Sequence, residues 1–316
     1  MSTIRKYAGL LRPQRRAEWS IGIYEGASPL ELAPLERLGT SAVLTRHSLR
    51  GLRAHGVADP FMVRRGDDWF MFFEVDSLES GRGEIGLAAS HDTISWHFEG
   101  IVLREPFHLS YPHVWEFEGA HYMLPETSAF GAVRLYKADP FPTCWKFHAE
   151  LVRGNLVDAT PVRHGGKWWF MALEGFGSHD AFVIYFTDRL EGPWQPHPLN
   201  PILSHDKRHA RPAGRIVFVQ GSMIRFAQDY EKHYGRLVHA FRVEELTTTS
   251  YVEKSIGDPV LRPAGHGWNA SGMHHVDAHQ LGPNRWLAAV DGRRTVRRWP
   301  LHERAVERVR RYDAGR

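Results

Sequence analysis

Short runs rich in aromatic and β-branched residues recur along the chain in pairs, each pair joined by a polar, glycine-containing turn. Five such pairs read ADPFMVRRGDDWFMFFE (58–74), SYPHVWEFEGAHYMLPE (110–126), VDATPVRHGGKWWFMALE (157–174), RPAGRIVFVQGSMIRFAQD (211–229) and HHVDAHQLGPNRWLAAVD (274–291). Each opens near a polar residue and closes on an acid about 15 residues later, the pattern of a β-hairpin. The openings at Asp59, Tyr111, Asp158, Arg211 and His275 are 52, 47, 53 and 64 residues apart, a spacing that fits propeller blades.

A second signature lies between the hairpins: GEIGLAASHDTISW (83–96), AVRLYKADPFPTCW (132–145), FVIYFTDRLEGPW (182–194) and RLVHAFRVEELTTTSY (236–251). Each is a β-rich run, a polar turn and an aromatic residue, followed by an outer strand such as GIVLREP (100–106). Four short strands fit a repeat of this length. The fifth hairpin has no outer pair after it, whereas WSIGIYEGASPLEL (19–32) matches the third-strand signature and SAVLTRH (41–47) reads as an outer strand. The chain is therefore expected to be all-β, a five-bladed β-propeller over residues 19–292. Its last blade would be closed by N-terminal outer and C-terminal inner strands, which removes open sheet edges. Residues 1–18 form a basic extension and residues 293–316 an Arg-rich tail in which LHERAVERVRRY has helical character.

Composition fits one such domain: 42 % hydrophobic residues, with 11 Trp, 10 Tyr and 17 Phe to fill a core. The single cysteine, Cys144, excludes an intramolecular disulfide and a cysteine zinc cluster. No cofactor and no metal are expected. The first twenty residues lack an apolar signal segment and no run is long enough to span a membrane, so the expectation is a cytoplasmic protein. The net charge of +4 hides an asymmetry. Residues 1–19 carry five Lys/Arg against one Glu, and 293–316 carry nine Arg against three acids, leaving 4 − 4 − 6 = −6 for the body. An acidic body argues against a nucleic-acid-binding face.

Because the second strand of each hairpin returns to the face where the first began, the start of one and the end of the other are neighbours. That places Asp59 with Glu74, Tyr111 with Glu126, Asp158 with Glu174, Arg211 with Gln228 and Asp229, and His274 or Asp277 with Asp291 around one end of the channel. His113 follows Tyr111 on the same strand, and Arg225 lies near the end of the fourth hairpin. Such a ring of carboxylates, Arg, His, Tyr and Gln suits a carbohydrate. Cleaving a glycoside would require one protonated and one ionised carboxyl. Asp59 and Asp158 are candidates for the ionised groups, and Glu126, in the apolar setting YMLPE, for the acid, with Glu74 its nearest competitor. Any single acid here is equally suited to accepting turn N–H groups.

ADPF with FFE, EPFHLSYPHV with YMLPET, RPAGR…RFAQD…YGR and the closing HxxD…W…VDG together resemble the N-terminal propeller domain of plant glucosamine inositolphosphorylceramide transferases and its bacterial stand-alone relatives, over about residues 19–292. More distantly they resemble the arabinanase, levansucrase and invertase superfamily, which works on sugars with three pocket carboxylates. That resemblance implies a base at Asp59 and an acid-tuning role for Asp158. The acid departs from the pattern, since the fourth hairpin opens on Arg211; either Glu126 or Glu174 takes its part or hydrolysis is absent. In the plant proteins the resemblance assigns transfer chemistry to a separate C-terminal glycosyltransferase domain that these residues do not include. Two readings follow: a glycoside hydrolase or transglycosylase using Asp59, Glu126 and Asp158, or a non-catalytic sugar- or headgroup-binding propeller. The expected partners are a carbohydrate or glycoconjugate ligand and a separate glycosyltransferase.

Overall fold

The structure is a computed structural model and describes residues 13–298; the helix expected around residues 301–312 lies outside the described residues. The described chain enters with β1 (Gln14–Ser28) and β2 (Glu31–Pro34). Blade one is β3 (Ala54–Arg65), β4 (Asp68–Ser77), β5 (Gly83–Ser90) and β6 (His97–Leu103). Blade two is β7 (Ser110–Phe117), β8 (Ala120–Glu126), β9 (Ala132–Ala138) and β10 (Trp145–Arg153). Blade three is β11 (Leu156–His164), β12 (Lys167–Glu174), β13 (Ala181–Thr187) and β14 (Gln195–Pro196). Blade four is β15 (Val217–Val219), β16 (Ser222–Asp229), β17 (Leu237–Leu246) and β18 (Tyr251–Ser255). Blade five takes β19 (Val276–Gly282) and β20 (Arg285–Arg298) and completes itself with β1 and β2, in the order β19-β20-β1-β2. The closing ladder runs from Gln14↔Arg298 to Gly26↔Trp286, so paired strand extends beyond residues 19 and 292 on both sides.

The outer strand of blade five differs from expectation. It is β2, not 41–47: the chain turns sharply after Ser28 and ELAP pairs at once with β1. The SAVLTRH segment contributes only the bridge Ile21↔Leu44, and Leu44 is fully buried, so its apolar residues plug the core instead of extending a ladder.

Blades pack through sheet faces lined by large side chains. Between blades one and two lie Phe72, Leu87, Val114, Met123, Tyr136 and Trp145, each burial worth about 1.5–3 kcal/mol. The aromatic that ends each third-strand signature has a repeated job. The indole N–H of Trp96, Trp145 and Trp194 donates to the carbonyls of Thr93, Pro142 and Leu190, closing the turn to the outer strand in three blades.

The inner strand of blade four is the shortest of the five, three residues where the others run seven or more. Only Val217–Val219 ladders regularly with β16, while Pro212 bridges Ala227 and Gly214 bridges Val276 of blade five in parallel. Pro212 has no N–H to give, and Gly214 at φ +126 lies so close to blade five that a Cβ would stand 1.8 Å from the Val276 carbonyl oxygen. The strand is thus drawn from its own sheet toward its neighbour. Gly214→Ala is expected to cost about 3 kcal/mol or more. Gly221→Ala, at φ +82 with open space at its Cβ, should cost about 1 kcal/mol. Urea denaturation of both variants checks this; equal losses would remove the close approach as the cause.

Candidate ligand site at the mouth of the channel

The first three inner strands carry the same irregularity. In each the register slips between Ala58 and Phe61, Ser110 and His113, and Val157 and Thr160, and the slipped residue is a non-glycine in the left-handed region: Asp59 (φ 53), Tyr111 (φ 46) and Asp158 (φ 54). Such a bulge re-aims a side chain, here from the sheet face toward the axis, and its backbone strain persists because the surroundings hold it. Tyr111 is the longest of the three. Its hydroxyl exchanges a hydrogen bond with Thr160 Oγ1 at 2.8 Å and accepts one from the Gly214 amide at 2.7 Å, tying blades two, three and four across the channel.

Carboxylates join the other blades through backbone amides. Asp291 accepts from the N–H groups of Asp59 (3.0 Å) and His274 (3.2 Å), and from His274 Nδ1 (2.8 Å). Asp59 Oδ2 accepts from the Tyr111 amide at 3.3 Å. Asp158 is fixed from blade four by Arg211 Nε (2.6 Å) and Gln228 Nε2 (3.2 Å).

In front of this wall is a cavity of about 370 Å³ lined by Asp59, Glu74, Asp76, His108, Glu126 and Arg211, with Trp19, Phe176, Tyr234 and His274 among the rings around it. Trp19 stacks on His274 at 4.1 Å, and its indole fits where Gly235, at φ +64, offers no side chain; a Cβ there would come within 2.4 Å of the ring. The Arg211 guanidinium sits beside the edge-to-face pair Phe176 and Tyr234, 4.7 and 5.2 Å from their ring centres. Glu126 Oε1 accepts from the Ser128 amide at 2.7 Å. His108 Nδ1 accepts from the Gly83 amide at 3.0 Å, so its proton sits on Nε2, 3.5 Å from Glu74.

Burial pushes the Asp59 carboxyl up to about 7, opposed by His274 and reinforced by Asp291 and Asp158. It also raises Glu126, and raises Glu74 well above the usual carboxylate range, where the charges of Asp59 and Asp76 add to it. For His274 burial alone would lower the value, but Asp291 holds it above that of an ordinary imidazole. His275, buried with its Nε2 on the Pro60 carbonyl at 3.0 Å, falls to about 4. Asp59, His274 and Asp291 offer atoms of the right kind for a cation within 4.8 Å of one another. The Nδ1 of His274 and both oxygens of Asp291 are already in hydrogen bonds within the wall.

Of the residues singled out from the sequence, Asp59, Glu74, Glu126, Arg211 and His274 line the cavity, and Tyr111, Asp158, Gln228 and Asp291 form the wall behind it. The others lie elsewhere. Arg225 is 1 % exposed, doubly bonded to Glu253 and held between the Phe182 and Phe241 rings, an inner-blade ion pair. Asp229 is paired with Arg236 and caps the Glu231 amide, because its strand position points it away from the axis. Glu174 closes β12 half-buried and does not line the cavity. Asp277 and His113 belong to a second buried group: Asp277 accepts from Arg215 Nε and the Met62 amide, both at 2.6 Å, and Arg215 reaches His113 at 3.4 Å. Trp19, Phe176, Tyr234 and His108 were missed. His108, Phe176 and Tyr234 stand in loops, where no hairpin pattern reports on direction, and Trp19 stands within β1, which meets its partner β20 only when the ring closes.

The family model described as glucosamine inositolphosphorylceramide transferase 1, N-terminal, matches residues 12–293. Among curated proteins, glucosamine inositolphosphorylceramide transferase 1 of Oryza sativa subsp. japonica is 37 % identical over 303 residues, covering 89 % of this chain and 41 % of that protein. The Arabidopsis thaliana protein of the same name is 34 % identical over 306 residues, covering 90 % and 40 %. The chain thus spans less than half the length of these relatives. Among solved structures, an α-L-arabinanase of Cellvibrio cellulosa complexed with arabinohexaose superposes with a TM-score of 0.57 at 14 % identity, over 77 % of this chain and 94 % of that one. A family 117 glycoside hydrolase of Zobellia galactanivorans gives 0.51 at 12 %, over 89 % and 91 %. The fold is that of the propeller glycoside hydrolases, and the chain belongs to the family of the N-terminal domain of glucosamine inositolphosphorylceramide transferase 1.

Proposed function

We propose that the chain is a sugar-binding propeller whose cavity takes the glycan end of a glycoconjugate and holds it for a glycosyltransferase, without cutting a glycosidic bond itself. The observation that carries this reading is the pairing of Arg211 with Asp158. A glycosidase needs a protonated and an ionised carboxyl facing the same ligand. Here three carboxyls at the cavity, the buried Asp59 and Glu126 and the half-buried Glu74, are all raised, and Asp158 is turned behind the wall into an ion pair at 2.6 Å. Carboxyls of this kind, beside Trp19 and Tyr234, suit hydrogen bonding and stacking with a sugar ring. The names of the plant relatives favour a headgroup of the inositolphosphorylceramide type.

One observation favours a second, hydrolytic reading. Asp59 is strained, 7 % exposed, and keeps Oδ1 free of hydrogen bonds at the cavity. It would then serve as base or nucleophile, with Glu126 as acid.

Titration calorimetry with a panel of sugars and glycosyl headgroups separates the two readings. Binding is expected to weaken about 10-fold in Trp19→Ala, consistent with losing an aromatic contact of about 1.5 kcal/mol. Nitrophenyl glycosides should remain uncut by the wild type; turnover that disappears in Asp59→Asn would establish hydrolysis instead.

The raised Asp59 carboxyl also makes a stability prediction. The native state keeps this proton up to about pH 7, whereas an unfolded Asp loses it near its ordinary value of about 4. Stability from this group is therefore complete below about pH 4 and lost as pH rises through about 7. Asp59→Asn should gain on the wild type by about 4 kcal/mol between pH 4 and pH 8 in urea titrations, and a constant difference across that range would contradict the burial account.

A further inference from the structure

The cavity is acidic, but the ribbon beside its mouth is basic. The closing ladder of blade five passes the cavity at Trp19↔Arg293 and continues outward from Glu18↔Arg294 to Gln14↔Arg298, about 17 Å of further strand. From Arg293 outward this two-stranded ribbon carries Arg15, Arg16, Arg293, Arg294, Arg297 and Arg298 against one acid, Glu18. Side chains alternate along a strand, which divides these groups between two faces. Glu18 shares its face with Arg294 and Arg298, and its carboxylate is already taken by those two guanidiniums and that of Arg46. Arg15 and Arg297 stand on the other face, the side of Trp19, both exposed and directly opposite each other. Like charges paired across strands cost stability, so this pair calls for an anionic partner from outside.

The loops of the same face add an independent observation. The turns after β8, β12 and β16 leave the mouth beyond Glu126, Glu174 and Asp229, and each presents a large ring to solvent: Phe130 (46 % exposed), Phe176 (44 %) and Tyr234 (39 %). Arginines beside solvent-facing rings on one side of a protein match a bilayer surface, where phosphates take the guanidiniums and the interfacial zone takes the rings. Duplex nucleic acid would use the arginines alone, and the acidic body of the propeller would oppose it. We propose that the mouth face docks on an anionic membrane surface, with Arg15, Arg16 and Arg297 on lipid phosphates and Phe130, Phe176 and Tyr234 at headgroup level, so that the cavity opens onto the lipid layer. Both ends of the described chain, residues 13 and 298, leave from the tip of the ribbon, and the sequence before it adds Arg5, Lys6 and Arg12 without an acid. This docking needs no sugar in the cavity and goes beyond the binding reading of the site.

The experiment is co-sedimentation of the intact chain with vesicles of phosphatidylcholine alone and of phosphatidylcholine mixed with phosphatidylserine. Binding to the anionic vesicles is expected to be at least about 10-fold tighter than to the neutral ones, and to weaken as salt is raised. Arg15→Gln combined with Arg297→Gln, at two exposed sites, should lower it about 30-fold. Phe130→Ser, outside the cavity lining, should lower it about 5-fold and leave the salt dependence unchanged. Equal binding to both kinds of vesicle, or binding to neither, overturns the docking, as does full binding by either variant. A duplex oligonucleotide held as tightly as the anionic vesicles, and lost in the arginine variant, would overturn it in favour of nucleic acid. None of these results alters the sugar titrations, so the docking and the sugar-binding reading stand or fall separately.

Discussion

The inner strands of a closed propeller converge on one axis, where their leading amides have no sheet neighbour to bond. Every such N–H must still find an acceptor. This protein finds them in side chains reaching across from other blades. Asp291 takes the amide of Asp59, Asp59 that of Tyr111, Asp277 that of Met62, and the Tyr111 hydroxyl that of Gly214. These bonds link residues far apart in sequence, so they fix the blades relative to one another, and the site inherits its geometry from them.

That constraint explains why so many polar residues at the axis are part of the frame. An acid accepting two amides and an imidazole, as Asp291 does, has little left for a ligand. Asp277, held far below the usual carboxylate range despite its burial by Arg215 and His279, is similarly occupied. Asp59 differs because only one of its oxygens is used. The functional surface is what remains after the frame is satisfied: one oxygen of Asp59, the carboxyls of Glu74, Asp76 and Glu126, and the rings of Trp19, Phe176 and Tyr234.

Much of the fold was legible because hairpins announce themselves through turn residues and apolar runs, and because the unpaired fifth hairpin required an N-terminal partner. The site was legible in part. Pairing of Ala58 with Glu74 and of Ser110 with Glu126 follows from the hairpin alone, so the neighbourhood of Asp59 and Glu126 could be read. The side chain's direction could not, since a bulge at φ near +50 turns Asp59, Tyr111 and Asp158 out of strand alternation. Arg225 illustrates the converse: its polarity suggested the channel, while its partner Glu253 lies 28 positions later on an outer strand that the hairpin pattern does not connect to it. Trp19, Phe176 and Tyr234 converge from three separate parts of the chain, and only the closed ring brings them together.

The most direct measurement is a crystal structure of the protein grown with a sugar that calorimetry shows to bind. The account predicts density for one sugar in the cavity, its ring against Trp19 or Tyr234 and its hydroxyls toward Asp59, Glu74 and Glu126. A sugar bound on another face, or a cavity holding only water at saturating ligand, would contradict it.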